Sequence, residues 1–192
     1  VPAWVVSRAQ AFHDLRGLVP IAAMQLEYSL VQRSIEREHL PLAAAHDIGV
    51  TAWSPLAGGI LTGKYTRSAE SGGNNRMDSM QLQPLDERNR KIAEALDAVA
   101  DRLGATSGQV ALAWIMSRGV IPIVGATRPD QLTDNLRAID LVLDQDVLAE
   151  LDAASAFDAG HPYSMLEWDM PMALGYGGMF DQIDIPRFPG RR

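Results

Sequence analysis

Residues 53–65 read Trp53-Ser54-Pro55-Leu56-Ala57-Gly58-Gly59-Ile60-Leu61-Thr62-Gly63-Lys64-Tyr65. These residue types suit a ligand with a flat ring and a phosphate: an indole to stack, glycines that let backbone come close, and one ammonium. Gly58, four residues, then Gly63-Lys64 also matches the opening of a P-loop. That motif needs a Ser or Thr hydroxyl for magnesium immediately after the lysine; Tyr65 stands there, and no helical pattern follows, so the nucleoside-triphosphatase reading fails. Taken alone, the segment is equally a core tryptophan, an ordinary glycine turn and a solvated lysine.

Two further segments occupy comparable places: Met24-Gln25-Leu26-Glu27-Tyr28-Ser29-Leu30, and Gly125-Ala126-Thr127-Arg128-Pro129-Asp130-Gln131-Leu132-Thr133-Asp134-Asn135-Leu136. Each of the three closes a short apolar run, at 21–26, 49–53 and 120–124, of the length expected for a strand. Helices are expected between and after them. Pro2 opens one that places Val5, Val6, Ala9, Phe12 and Leu15 roughly on one side, and Gly17 closes it. A second spans 34–46 with Pro41 inside, where it should kink or split the helix. A third, 86–103, places Ile92, Ala95, Leu96, Val99 and Leu103 at helical spacing and ends at Gly104. Thr106-Ser107-Gly108-Gln109 has the form of a capping box, so another helix runs to about 117. Pro129 opens a helix with Leu132, Leu136 and Ile139 on one face, and 146–154 reads as a last one. Strands alternating with helices imply a parallel sheet buried on both faces. The stretch 65–85, with Ser71-Gly72-Gly73-Asn74-Asn75 at its centre, reads as a mobile loop, and 157–192 concentrates Gly, Pro, Met and aromatics with little periodicity.

Composition limits the ligand. The chain has 192 residues, 47% hydrophobic and 21% charged, with a formal net charge of −7. An acidic chain of this make-up folds around a core and lacks a broad footprint for nucleic acid or acidic lipid, so any phosphate must be met by local groups. The absence of cysteine excludes disulfides, thiolate zinc sites and cysteine nucleophiles. No apolar run reaches the length of a membrane span, and Val1-Pro2-Ala3-Trp4 has no signal-peptide pattern, so no membrane is expected and a cytoplasmic setting is. The start at Val1 without an initiator Met reads as a processed or partial piece of something longer.

The three segments, in that order and at those spacings, resemble the aldo-keto reductases, closest to bacterial members and to the potassium-channel β subunits that share the Gly-Lys-Tyr ending. The resemblance covers the chain to about residue 156. It implies an α/β fold: the C-terminal portion of a (β/α)8 TIM barrel, strands six to eight with their helices, whose N-terminal half is not in this sequence. A complete barrel typically needs about 250 residues. Residues 1–156 would be the NADP(H)-binding part of the barrel and 157–192 a tail packing on it. By the same resemblance Gln25 hydrogen-bonds the nicotinamide carboxamide and Trp53 stacks on the nicotinamide ring. Ser54, Pro55, Leu56, Gly58 and Lys64 line the pyrophosphate. Gly125 closes the last strand, Thr127 and Arg128 clasp the 2′-phosphate at a helix N-terminus, and Gln131, Asp134 and Asn135 hold ribose and adenine. Asp134 replaces a more usual glutamate, and Arg76 resembles a phosphate-side arginine of some members, though a solvated loop charge explains it as well.

The resemblance also implies what is missing. The family's general-acid tyrosine and its lysine, aspartate and histidine lie on the second to fourth strands, and the Ser-Asn pair ending the fifth is absent too. Tyr28, Tyr65, Tyr163 and Tyr176 fall outside the catalytic motif, and His13, His39, His46 and His161 have no metal spacing. The expected activity is NADP(H)-dependent reduction of an aldehyde or ketone by a parent protein, with this chain inactive alone and dependent on the other half of the barrel. Two alternatives stand beside it: a redox-sensing regulatory subunit that binds the cofactor without turnover, and an inactive half-barrel fragment.

Overall fold

The computed structural model describes residues 1–67, 85–166, 175–177 and 179. They form two compact units, one from Ala23–Arg33 and Gly49–Ala156, the other from Val1–Ala22, Ser34–Ile48 and Phe157–Arg192. Arg76 and most of the expected mobile loop lie outside the described residues, as does most of the tail.

In the second of these units, helix α1 (Ala3–Arg16) starts behind Pro2, whose carbonyl accepts from the Val5 and Val6 amides, and ends at Gly17, with φ of 61°. The left-handed cap is the conformation that glycine adopts without penalty. Of the apolar set expected on one side, Val5, Val6 and Ala9 are half-buried, whereas Phe12 and Leu15 face solvent. The helix expected over 34–46 is divided into a 3-10 turn, Ser34–Glu36, and α2, His39–Ala45. Pro41 thereby falls in the first turn of α2, where its missing N–H breaks no intrahelical bond.

The other unit holds the sheet: β1 (Ala23–Glu27), β2 (Gly49–Trp53) and β3 (Ile121–Pro122), parallel and side by side in that order. Two strands differ from expectation for identifiable reasons. The run at 21–26 enters the sheet only at Ala23, because the Ile21 amide is taken by the Gln10 side chain at 2.9 Å. The run at 120–124 is reduced to two ladder residues, since Pro122 has no N–H to donate. The pairing resumes once, from the Ile123 amide to the Ala52 carbonyl at 2.8 Å.

Contrary to the expectation of burial on both sides, one face of this sheet is open. Val50 and Ala52 are buried, and their register partners Met24 and Leu26 lie on the same face, half-buried. Gln25, Glu27, Thr51, Trp53 and Ile121 alternate to the opposite face, which is more exposed throughout. A sheet interior to an all-parallel protein would be apolar on both sides; this one carries an amide, a carboxylate, a hydroxyl and an indole on its open side.

Helix α3 (Glu87–Leu103) begins at Asp86, whose carboxylate accepts from the Asn89 amide at 2.8 Å, and ends at left-handed Gly104. Helix α4 (Ser107–Ser117) has the expected capping box, with Thr106 and Gln109 side chains bonding each other's backbone amides. Every residue from Ser107 to Ile115 is buried, because α4 is packed by α3, β3, α5 (Pro129–Leu136) and the 3-10 segments Ala57–Thr62 and Arg137–Asp140. Helix α6 (Gln145–Ala154) starts at Asp144, which caps Val147, and packs on α3. Behind the sheet, Trp114 of α4 is fully buried, tilted against Tyr28, and flanked by the guanidiniums of Arg33 and Arg118 at 5.2 and 5.1 Å from the ring. Asp152 of α6 accepts from the indole N–H at 3.0 Å and from Arg118, and pairs with Arg33 at 3.4 Å. One carboxylate thus joins the chain after β1 to α4 and α6.

Candidate functional site

The open face of the sheet places Gln25 and Trp53 on adjacent strands, Gln25 exposed and Trp53 half-buried at the last ladder position of β2. Beyond Trp53 the backbone turns sharply. Ser54 and Ala57 take φ of 53° and 49°, and Gly58, Gly59 and Gly63 follow at 65°, 104° and 77°. Positive φ is uncommon for residues with a Cβ, and strain of this kind persists where a backbone is held in one functional shape. The turn is fixed by its own hydrogen bonds: Ala57 N–H to the Ser54 carbonyl, Gly59 N–H to the Leu56 carbonyl, both 2.9 Å, and the Thr62 hydroxyl to the Gly59 carbonyl at 2.7 Å. Pro55 and Ala57 are buried, and Leu56 lies against Gly108 in the first turn of α4. Lys64 is exposed, its ammonium 5.7 Å from the Tyr65 ring centre. Nothing in the residue types forecast positive φ at Ser54 or Ala57.

The chain after β3 gathers the remaining candidates. Gly125, Thr127 and Arg128 are exposed, and Arg128 occupies the N-cap of α5 ahead of Pro129. The Thr127 amide and hydroxyl both donate to Gln131 Oε1, at 3.0 and 3.1 Å. Arg128 grips Asp130 with Nε and Nη2, at 3.0 and 2.8 Å. The hydrogen bond from Arg128 leads the causes that hold the Asp130 carboxyl below its ordinary range, and the Arg128 guanidinium is raised in turn. The Asn135 amide reaches the Gly125 carbonyl at 3.5 Å, tying the last turn of α5 to its entry. Asp134 faces α4: its carboxylate accepts from the Gln109 amide at 2.7 Å and the Thr106 hydroxyl at 3.1 Å. The structure thus brings Thr127, Arg128, Gln131 and Asn135 around one helix entry, with Asp134 turned to the neighbouring cap.

Asp97, Thr66 and Arg67 hold the end of the glycine turn, a cluster that the sequence reading missed; a lone Asp within a helical pattern carried no signal. Elsewhere, Tyr163 donates to Glu38 at 2.5 Å, and that bond, first among the causes, pushes the phenol up from its ordinary range, away from the tuning a proton donor needs. Among the described residues no group of His, Asp and Glu is arranged to hold a metal ion, and no helix is long and apolar enough to cross a membrane.

The sequence model of the Aldo/keto reductase family matches residues 1–156. Norsolorinic acid reductase of Aspergillus flavus is 31% identical over 167 residues, covering 86% of this chain and 41% of that protein. An aryl-alcohol dehydrogenase [NADP(+)] of Phanerodontia chrysosporium is 31% identical over 168 residues, covering 84% of the chain and 44% of that protein. A probable voltage-gated potassium channel subunit beta of Arabidopsis thaliana is 37% identical over 145 residues, covering 71% and 44%. The chain spans less than half the length of these relatives. With the family matched across four-fifths of its residues, and with a parallel α/β sheet that bears Gln25 and Trp53 on its open face, the chain belongs to the aldo/keto reductase family.

Proposed function

We propose that this chain is the cofactor-holding part of an NADPH-dependent carbonyl reductase, the C-terminal portion of a (β/α)8 barrel whose remaining strands carry the catalytic tyrosine. The observation that carries the reading is the strained turn Ser54 to Gly59, which starts at the C-terminal end of a parallel strand directly after Trp53, where ligands of such folds are bound. The residues fit the group: an amide and an indole for the nicotinamide, the half-buried backbone of the turn and exposed Lys64 for the pyrophosphate, and, for the 2′-phosphate, Arg128 and Thr127, which would exchange Asp130 and Gln131 for it. When bound, NADPH supplies hydride to the carbonyl carbon. Gln25 fixes the carboxamide and so selects which ring face is presented, and Trp53 stacks on the ring and keeps water from it. Ser54, Pro55, Leu56 and Gly58 line the pyrophosphate, Gly125 admits the adenosine end, and Gln131 and Asn135 hold the ribose and adenine. Asp134 supports that end from behind, through Thr106 and Gln109. Arg76 is proposed for the phosphate side on the family resemblance alone. The substrate is an aldehyde or ketone, and its proton comes from a residue outside this chain. The open face and the outer edges of the sheet are where the other half of the barrel would be received.

Cofactor choice tests the reading. NADP differs from NAD only in the 2′-phosphate, and Arg128 at the head of α5 is the cation placed for that dianion. Arg128→Ala in the complete protein is expected to weaken NADPH by about 10-fold to 150-fold, the worth of a charged hydrogen bond, and to leave NADH nearly unchanged. Fluorescence titration of both cofactors decides it: equal losses would remove the support for NADP preference.

A further inference from the structure

Asp97 lies on α3, more than thirty residues beyond the glycine turn in sequence and outside every segment that marks the cofactor site, yet its side chain is 11% exposed and its carboxylate is engaged by that turn and by α4. The Thr66 hydroxyl donates to Oδ2 and the Ser107 hydroxyl, at the first residue of α4, donates to Oδ1. The Arg67 guanidinium approaches Oδ1 to 3.4 Å, reaches the Asp97 carbonyl at 3.0 Å and pairs with Asp101 at 2.8 Å. The Arg67 amide closes back on the Gly63 carbonyl at 2.9 Å. A side chain at Gly63 would be crowded and strained: a Cβ there would sit 3.0 Å from Arg67 Cδ and 3.3 Å from Asp97 Oδ1, and its φ is +77°. The turn is pressed onto the carboxylate, and Lys64 stands between the two points, Gly63 and Thr66, at which it is held.

We propose that Asp97 is the positioning residue for Lys64: one buried carboxylate, fixed to α4 by Ser107, clamps the residues on the far side of Lys64 and so sets where its ammonium points. This rests on the reading that Lys64 meets the cofactor's pyrophosphate. A carboxylate so used never touches the ligand. It lowers the cost of ordering a long, rotamer-rich side chain when the anion arrives, because the backbone beneath that side chain is already fixed. The pyrophosphate is common to NADPH and NADH, so loss of the clamp acts on both alike, unlike loss of Arg128.

The test is a set of double-mutant cycles in the complete protein with NADPH, NADH and adenosine 2′-monophosphate, a fragment that has the 2′-phosphate and no pyrophosphate. Asp97→Ala is expected to weaken both dinucleotides by about tenfold and Thr66→Val, which leaves Asp97 with Ser107 and Arg67, by about threefold. Neither should change binding of the monophosphate, and in a Lys64→Met background neither should cost anything further, since the group they position is gone. Should Asp97→Ala fail to fold, the Thr66→Val cycle alone decides. Losses that multiply undiminished in the Lys64→Met background, or a loss shared by the monophosphate, would overturn the proposal and leave Asp97 as a support of the fold. If Lys64→Met itself changes neither dinucleotide, the pyrophosphate reading of Lys64 fails, and the proposal fails with it.

Discussion

Trp53 illustrates how far a residue can be read from sequence. An indole after a strand is by default a core residue, and the structure instead gives it a half-buried place on the open face of the sheet, beside Glu27 of β1 and one ladder step beyond Gln25. A stacked nicotinamide would cover the exposed part of the ring. Trp53→Ala in the complete protein is therefore expected to weaken NADPH by roughly 1 kcal/mol, the scale of an aromatic pair beyond area burial, and to abolish part of the fluorescence quenching that NADPH causes. Lost stability with unchanged affinity would return Trp53 to the core. Other residues were less legible. Gln25 stands in the middle of β1, on the open face of the sheet, and Thr127, Arg128, Gln131 and Asn135 gather at the entry of α5. The resemblance makes Asp134 one more residue of the adenosine end, and in the structure its carboxylate accepts from the Thr106 hydroxyl and the Gln109 amide at the cap of α4. Sequence spacing gives a position on a helix, and only the packing of the neighbouring helix shows which donors that position meets.

Elements were legible where local chemistry dominates and less so where pairing across the sheet dominates. The capping box at Thr106, the glycine stops at Gly17 and Gly104 and the proline start of α5 are all present, because each depends on residues within a single turn. The shortness of β3 follows from Pro122 within its own run, whereas the exposure of one sheet face depends on partners distant in sequence, of which the apolar runs carry no record. The contact that unites these elements is equally non-local. Asp152 on α6 accepts from Trp114 and Arg118 and pairs with Arg33 beyond β1, so its removal takes the carboxylate from the Arg118 guanidinium and the indole N–H, while Arg33 keeps Ser155 and the Asp152 carbonyl. Asp152→Ala is expected to destabilise the fold by about 1.5–3 kcal/mol, the worth of a charged hydrogen bond in a half-buried place. Urea denaturation measures it, and a change under about 1 kcal/mol, the range of an exposed pair, would show that water satisfies these groups as well as the carboxylate does.

At the scale of the molecule, the sheet of the described residues is a three-stranded parallel segment with outer edges on β1 and β3 and an open face, in a chain that spans less than half the length of the relatives it matches. The expected outcome is that the 192-residue chain alone reduces no carbonyl substrate with NADPH, and that adding a polypeptide supplying the rest of the barrel restores a measurable rate. An NADPH oxidation assay checks both, and clear turnover by the chain alone would place a proton donor within these residues, contrary to the proposal. The spatial order β1-β2-β3 is also the order of synthesis. Each strand leaves the ribosome after the neighbour it pairs with has been made, so the sheet can grow one strand at a time from its first edge. A parallel sheet built of distant pairings is slow to form when all its strands must search at once. Growth in chain order shortens that search, because each strand after the first meets a neighbour already made, which limits how long its own backbone is offered to another nascent chain.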